Sequence, residues 1–167
     1  MSDEERVACS VRTAVLGDAK PIFEMIRAHS DMLVPRSIGD IVENIDRFVI
    51  AENEEGRLIG CASWKIFPEI GNPEGAAVEI QSVAVAKEYR RKKIGEALVS
   101  FLDDSVRRFN ASQVIVLTFA PDFFKSMGFV VIPKTQVMHK LYIGCMGCTK
   151  HANPFTCPEI AMAFPLH

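Results

Sequence analysis

The chain has 167 residues, of which 19 are Lys or Arg and 21 are Asp or Glu, giving a formal net charge of −2. No run of about 18 apolar residues is present to span a bilayer, and the polar, acidic first residues do not resemble a signal peptide. We therefore expect one cytoplasmic domain over residues 1–167, with no membrane partner and no general attraction for nucleic acid.

The N-terminal part predicts a strand followed by two helices. Residues 11–15 are typical of a short strand. Asp18 is placed to cap a helix that continues through Ile26, with Pro21 tolerated in its first turn. Ser37 precedes apolar residues at helical spacing and predicts the start of a second helix.

Antiparallel strands are predicted next. Residues 47–51 and 58–64 flank a turn at 53–56, which is the pattern of a hairpin. After a loop at 71–75, residues 77–85 predict a further strand. Alternation along that strand separates two faces. Val78, Ile80 and Ser82 lie on one face, and Glu79, Gln81, Val83 and Val85 lie on the other, which we expect to line a cleft.

The second half predicts a long helix, a buried strand and a short helix. The long helix begins near Ile94 and is expected to extend to Phe109 by its apolar spacing. Residues 114–118 form a continuous apolar run, and residues 122–127 predict a short helix that ends at a left-handed Gly128. This order of elements indicates an α/β (α+β) fold, in which a mixed, mostly antiparallel central sheet is flanked by helices.

A basic turn connects the strand at 77–85 to the long helix. Arg90, Arg91, Lys92 and Lys93 stand directly before the helix, whose first N–H groups carry about half a positive charge. A solvated patch or a targeting signal is the alternative interpretation of four basic residues. The position between a strand and an amphipathic helix favours a diphosphate site.

This turn resembles the acetyl-coenzyme A motif of the GNAT N-acetyltransferases. The family pattern is Arg or Gln, two variable residues, Gly, one residue, then Gly or Ala; Arg90 takes the first place and Gly95 the last. Lys93 occupies the place where the family pattern has its first glycine. This departure is tolerable if Lys93 has ordinary helical backbone angles. The resemblance implies the GNAT fold and acetyl-CoA as co-substrate, bound by Val83, Val85, Arg90, Arg91, Lys92, Lys93, Ile94, Gly95, Glu96 and Ala97.

Further segments are similar to the short, stand-alone N-acetylglutamate synthases of bacteria. The similarity lies at 33–37, 67–69, 116–119, 123–124, 138–140, Cys145, Cys148, Cys157 and 159–162. It implies an acyltransferase that acetylates the α-amine of L-glutamate, the first step of arginine biosynthesis. The alternatives are another amino acid, a polyamine or a protein N-terminus as acceptor, or a coenzyme-A-binding regulatory module. The sequence leaves a homodimer open.

Two residues are candidates for the acceptor side of the reaction. An α-ammonium group must lose a proton before it attacks a thioester, and Glu79, whose apolar neighbours Val78 and Ile80 would raise its pKa, is the expected base. Arg36 is expected to pair with a carboxylate of the substrate. The alternatives are a solvated or lysine-paired Glu79 and an exposed Arg36. Lys65, His139 and Lys140 are secondary candidates for the carboxylate.

The sequence does not supply the usual proton donor for the leaving thiolate. Family members often use a tyrosine in the short helix, where this chain has Phe124. Ser126 is a weaker substitute, and a surface serine is the favoured interpretation of it. Backbone N–H groups around Ser82 and Val83 are expected to contact the thioester oxygen.

The C-terminal appendix at about 138–164 contains a set of potential zinc ligands. Cys145, Cys148, His151 and Cys157 include a C-x2-C pair and could surround Zn²⁺ tetrahedrally. No second close pair completes the pattern, so reduced, partly packed thiols are the favoured interpretation. Zinc as a cofactor is the alternative.

Overall fold

The computed structural model describes residues 7–137 and 158–164. The strands are β1 (Ser10–Thr13), β2 (Phe48–Glu52), β3 (Leu58–Glu69), β4 (Asn72–Val85), β5 (Gln113–Thr118), β6 (Val130–Val131) and β7 (Ile160–Phe164). The helices are α1 (Ala19–Ala28), α2 (Ile38–Glu43), α3 (Ile94–Val106) and α4 (Pro121–Ser126). None of the helices in these ranges is long and apolar enough to cross a membrane.

The strands form one sheet in the order β1-β2-β3-β4-β5-β7-β6. Pairing is antiparallel for β1 with β2, β2 with β3, β5 with β7 and β6 with β7, whereas β4 and β5 are parallel. The predicted mixed, mostly antiparallel α/β (α+β) fold is therefore confirmed. The prediction of a single domain over residues 1–167 stays a prediction.

The described chain comprises two compact units. The first contains residues 7–64 and 82–105. Its core is a cluster of buried side chains from α1, α2 and β2, among them Ile22, Ile26, Ile41 and Phe48. The spacing of Ile22 and Ile26 places both on one face of α1, and burial of that face stabilises the helix.

The second unit contains residues 65–81, 106–137 and 158–164. Its core includes Ala77 of β4, Ile115 of β5 and Ala161 of β7. Gly128 has a φ of 95°, as predicted for the residue that ends the short helix, and the next amide returns to that helix because Phe129 N donates to Phe124 O at 3.0 Å.

One of the two predicted helix caps is confirmed. The Ser37 hydroxyl accepts a hydrogen bond from Asp40 N at 3.1 Å at the start of α2. The prediction for Asp18 is wrong, since no side-chain hydrogen bond caps α1. The Asp18 carboxylate instead accepts from Val15 N at 2.8 Å and from Arg12 Nη1 at 2.8 Å.

Two element boundaries also differ from the prediction. Residues 72–75 of the expected loop belong to β4, and only Ile70 and Gly71 connect β3 to β4, with Gly71 at a φ of 78°. The long helix stops at Val106, and Phe109 ends a separate 3-10 turn with 39% of its surface exposed. The apolar spacing of Phe109 therefore predicted a longer helix than the structure has.

Candidate active site

The basic turn is fixed to the first unit on its N-terminal side. It begins at the 3-10 turn Lys87–Tyr89, directly after Ala86, whose N–H donates to Ile59 O at 2.8 Å. Arg57 and Glu88 form an exposed ion pair at 3.1 Å. The pKa of Glu88 is lowered, mainly by a hydrogen bond from its own backbone N–H and further by Arg57. The turn is thus held to β3 before the basic residues begin.

Backbone conformation in the turn differs from the expectation for Lys93. Lys93 has a φ of 64°, so it is left-handed rather than helical, and Arg91 has a φ of 61°. Lys92 between them does not have a positive φ. Residues with positive φ turn the backbone so that neighbouring N–H groups can face one ligand, a feature that recurs in anion-binding turns. The family glycine position therefore keeps a glycine-like conformation although lysine occupies it.

The side chains of the turn offer uncompensated positive charge. Lys93 lies 3.9 Å from Glu96 in a weak, exposed ion pair. Arg90, Arg91 and Lys92 have no ion pair with any residue in the described ranges. Three cations therefore lie beside the first turn of α3, which suits a phosphate ligand.

The start of α3 lies close to two strands of its unit. Ile94 is buried, whereas Gly95, Glu96 and Ala97 are half-buried. A Cβ on Gly60 would lie 3.0 Å from both Ala84 O of β4 and Leu98 Cδ1 of α3. Glycine at position 60 therefore permits the close approach that sets the helix against the strands.

Glu79 is almost fully buried, with 3% of its surface exposed. Its Oε2 accepts a hydrogen bond from Gln81 Nε2 at 2.8 Å. The recorded parallel pairing of β4 with β5 ends at Glu79, which is opposite Ile115. Glu79 is thus a buried side chain at the last pair of the β4–β5 ladder, and the alternative of a solvated Glu79 is wrong.

The regular alternation along β4 stops at Ser82. This residue has a φ of 54°, outside the extended region. The predicted grouping of Val83 and Val85 with Glu79 therefore does not follow from residue parity, because a left-handed residue interrupts the strand. Val83 and Val85 are half-buried and Ala84 is buried.

Arg36 is half-buried and held on three sides, so the alternative of an exposed arginine is wrong. Nε lies 2.6 Å from Asp40 Oδ2, and Nη1 donates to Ser63 Oγ at 3.1 Å and to Ser82 Oγ at 3.4 Å. The guanidinium carbon lies 4.8 Å from the centroid of the Phe48 ring. These contacts fix a cation at a defined place in the first unit.

Neither Phe124 nor Ser126 of the short helix α4 is placed to protonate a leaving thiolate. Phe124 is buried and packs edge-on against Phe123 and Phe129, with ring centroids 4.9 and 5.3 Å apart. The exposed Ser126 donates its hydroxyl proton to Phe123 O at 2.6 Å, which supports the interpretation of Ser126 as a surface serine.

Sequence reasoning missed several polar residues. Ser63 and Ser82 become neighbours of Arg36 only through the fold, whereas Asp40 lies four positions from it in the sequence. His29 is buried, and its Nδ1 and Nε2 lie 2.8 Å from Met25 O and 3.0 Å from Val85 O.

The zinc candidates Cys145, Cys148, His151 and Cys157 lie outside the described residues, as do His139 and Lys140. Within the described ranges, no group of three His, Cys, Asp or Glu side chains could hold a metal. Cys9 and Cys61 are free thiols, and burial raises the pKa of Cys61 to about 12. Lys65 places its Nζ 5.2 Å from the Phe67 ring centroid.

Comparison with known proteins establishes the class of protein that this fold defines. A family model described as acetyltransferase (GNAT) domain matches residues 44–131. An uncharacterized N-acetyltransferase of Chlorobaculum tepidum is 32% identical over 154 residues, which cover 91% of this chain and 93% of that protein. The chain therefore belongs to the GNAT acetyltransferase family, and the predicted family is confirmed.

Particular relatives within the family are amino-acid acetyltransferases. The protein of that name from Aliivibrio fischeri is 34% identical over 138 residues, covering 79% of this chain. The chain spans only 30% of that relative's length.

Solved structures confirm the fold. A Mycobacterium tuberculosis protein in complex with CoA and NLQ has a TM-score of 0.77 at 22% identity, covering 95% of this chain and 99% of that one. The N-acetylglutamate synthase of Neisseria gonorrhoeae, complexed with coenzyme A and N-acetyl-glutamate, has a TM-score of 0.76 at 24% identity, covering 98% of this chain and 36% of that one.

Proposed function

We propose that the chain transfers the acetyl group of acetyl-CoA to the α-amine of L-glutamate. The observation that supports this acceptor best is the half-buried guanidinium of Arg36, because an amino acid must pair its carboxylate with a cation when it leaves water. The amino-acid acetyltransferases among the relatives support the same class of substrate.

The basic turn and the start of α3 are proposed to bind the co-substrate. The backbone N–H groups of the turn at 91–93 and the first N–H groups of α3 would supply donors for a diphosphate, while Arg90, Arg91 and Lys92 would supply charge. The half-buried Val83 and Val85 are proposed to contact the pantetheine chain through backbone groups of β4. Crystal structures of neighbours with bound coenzyme A support this assignment.

Glu79 is proposed as the general base. Its carboxylate accepts a proton from the substrate ammonium, directly or through one water molecule, and the neutral amine then attacks the thioester carbon. Gln81 holds one carboxylate oxygen at 2.8 Å and thereby orients the group. Backbone N–H groups around Ser82 and Val83 are proposed to stabilise the negative charge on the thioester oxygen.

The leaving thiolate requires a proton from a source other than Phe124 and Ser126. Phenylalanine has no ionisable proton, and the hydroxyl of Ser126 is engaged with Phe123 O. We therefore assign protonation of the thiolate to water.

Steady-state kinetics with Arg36→Ala test this function. Wild-type protein should release coenzyme A from acetyl-CoA when L-glutamate is present. Losing one charge-assisted contact of about 2 kcal/mol should raise the KM for L-glutamate roughly thirtyfold and leave the KM for acetyl-CoA nearly unchanged. Arg27→Ala, at an exposed position of α1, is the control. Wild-type protein without glutamate-dependent release, or equal effects of Arg36→Ala on both substrates, would contradict the proposal.

A further inference from the structure

The donors of Arg36 are unequally occupied. A guanidinium has one N–H on Nε and two on each terminal nitrogen. Asp40 accepts from Nε, and Ser63 and Ser82 both accept from Nη1. Nη2 has no recorded partner among the residues that the structure describes. The two protons of Nη2 are thus the donors that Arg36 can offer to a ligand.

This occupancy disfavours the usual two-pronged contact between arginine and a carboxylate. Such a contact uses two neighbouring nitrogens, either Nη1 with Nη2 or Nε with Nη2. Here Asp40 holds Nε at 2.6 Å, and two hydroxyls hold Nη1. Because the Phe48 ring lies 4.8 Å below the guanidinium carbon, the group is also restrained on that face. A carboxylate bound at Nη2 therefore needs its second hydrogen bond from another side chain.

Ser82 is in the position to supply that bond. The Ser82 hydroxyl accepts a hydrogen bond from Arg36 Nη1 at 3.4 Å, so the hydroxyl proton points away from Arg36. Within the part of the chain that the structure describes, that proton has no acceptor. The backbone at Ser82 is left-handed, with a φ of 54°, and the thiol of the buried Cys61 donates to its carbonyl oxygen at 3.5 Å. A left-handed serine is costly unless its surroundings hold it, and such residues concentrate at functional sites.

We propose that Arg36 Nη2 and the Ser82 hydroxyl together bind one carboxylate of the acceptor, and that Ser82 determines specificity for a free carboxylate over a carboxamide. The proposal rests on the function proposed above and deepens it. Both oxygens of a carboxylate can accept hydrogen bonds from these two donors. A carboxamide has only one oxygen, so its N–H₂ group would face a donor of Arg36 or Ser82 without forming a hydrogen bond. Asp40 and Ser63 are positioning residues, since they occupy Arg36 without reaching the ligand.

Kinetics with variants at position 82 test the proposal. The acceptors are L-glutamate and its two monoamides, L-glutamine and L-isoglutamine. Loss of a hydrogen bond to a charged group should lower kcat/KM for L-glutamate about tenfold to a hundredfold in Ser82→Ala. For the monoamide that lacks the carboxylate bound here, kcat/KM should fall less than threefold in Ser82→Ala. The KM of this variant for acetyl-CoA should stay within twofold of the wild-type value.

Two further variants separate the hydroxyl from the backbone. Ser82→Gly also removes the hydroxyl but fits a φ of 54° without strain, so it should lose as much activity with L-glutamate as Ser82→Ala. Ser100→Ala, at an exposed position of α3, should match the wild type. Unchanged kcat/KM for L-glutamate in both variants at position 82, or equal losses with glutamate and both amides, would overturn the role of Ser82 while leaving the proposed function intact.

A binding measurement distinguishes failure of the inference from failure of the proposed function. Calorimetric titration of the coenzyme-A-loaded protein with glutarate requires no acetyl transfer. Binding that weakens about tenfold or more in Ser82→Ala and Ser82→Gly supports the carboxylate site even if no amino acid is acetylated. Binding that is absent from the wild type, or independent of Ser82, contradicts the site.

Discussion

Glu79 combines deep burial with a hydrogen bond to one carboxylate oxygen, and its proposed task is to remove a proton from the substrate. Glu79→Gln keeps the size of the side chain but removes the proton acceptor, so kcat should fall about a hundredfold or more. The loss should shrink as the pH rises, because more of the α-amine is then already deprotonated. Initial rates of coenzyme A release across a pH series measure both effects.

Glu74 provides the matched control for this substitution. It belongs to the same strand, β4, but is exposed. Glu74→Gln should therefore leave the rate nearly unchanged. A Glu79→Gln variant as active as the wild type near neutral pH would assign proton removal to water or another residue.

Lys93 occupies a conformation that favours glycine. A left-handed residue with a side chain costs about 1 to 2 kcal/mol, so Lys93→Gly should raise the free energy of unfolding by about 1 kcal/mol. Urea denaturation measures this difference.

Lys92→Gly is the control, because it removes the same charge from the same turn at a residue without positive φ. It should lower the free energy of unfolding by about 0.5 to 1 kcal/mol. Destabilisation by both variants would show that the conformation of Lys93 stores no strain.

At the scale of elements, Arg12 connects β1, the turn Leu16–Asp18 and β2. Its Nη1 and Nη2 donate to the Asp18 carboxylate at 2.8 and 3.0 Å, and its Nε donates to Glu52 at 2.8 Å. Hydrogen bonding from Arg12 lowers the pKa of Asp18 from its ordinary 3.8 and raises that of Arg12.

This shift predicts how stability depends on pH. The folded protein holds the pKa of Asp18 below its unfolded value, so the stabilisation is fully present above 3.8 and is lost as the pH falls through the folded value. Asp18→Asn should therefore unfold more easily than the wild type at neutral pH. The free energies of unfolding of the two proteins should converge below pH 3.8.

Asp46→Asn serves as the control for net charge, since Asp46 is exposed in the 3-10 turn Ile45–Arg47. Denaturant unfolding at several pH values compares the three proteins. A constant difference between Asp18→Asn and the wild type across the acid range would contradict the role of the carboxylate.

The elements illustrate how far the sequence predicts this fold. Helical spacing, turn residues and the Ser37 cap depend on neighbours in the chain, and the corresponding elements are present. Aspartate is a favourable residue for a helix cap, but the carboxylate of Asp18 accepts hydrogen bonds from Arg12 and Val15 instead. These competing contacts form only in the folded chain.

The location of three candidate site residues in the fold was predictable from local patterns, whereas their roles stay predictions. Arg90 precedes the long helix, Gly95 lies in its first turn, and Glu79 lies in β4, as predicted. The surroundings of Arg36 could not be predicted, because Ser63 and Ser82 are separated from it by 27 and 46 positions. The left-handed conformation of Ser82 could not be predicted for the same reason, because tertiary contacts hold a backbone conformation that serine does not prefer.

At the scale of the whole molecule, the charge is distributed to suit a local anion site. The net charge is only −2, yet the turn before α3 holds four consecutive basic residues. A small anionic co-substrate fits this pattern better than a long polyanion, which would require an extended basic surface.

The central claim is acetyl transfer to an amino acid, and the stoichiometry of the reaction tests it most directly. Purified protein is incubated with acetyl-CoA and, separately, with L-glutamate, other amino acids, a polyamine and a peptide N-terminus. Thiol release and acetylated product are quantified together, the product by mass spectrometry. The account predicts the highest kcat/KM for L-glutamate, with one N-acetylglutamate formed for each coenzyme A released. Preference for the polyamine or the peptide, or the absence of acceptor-dependent thiol release, would contradict it.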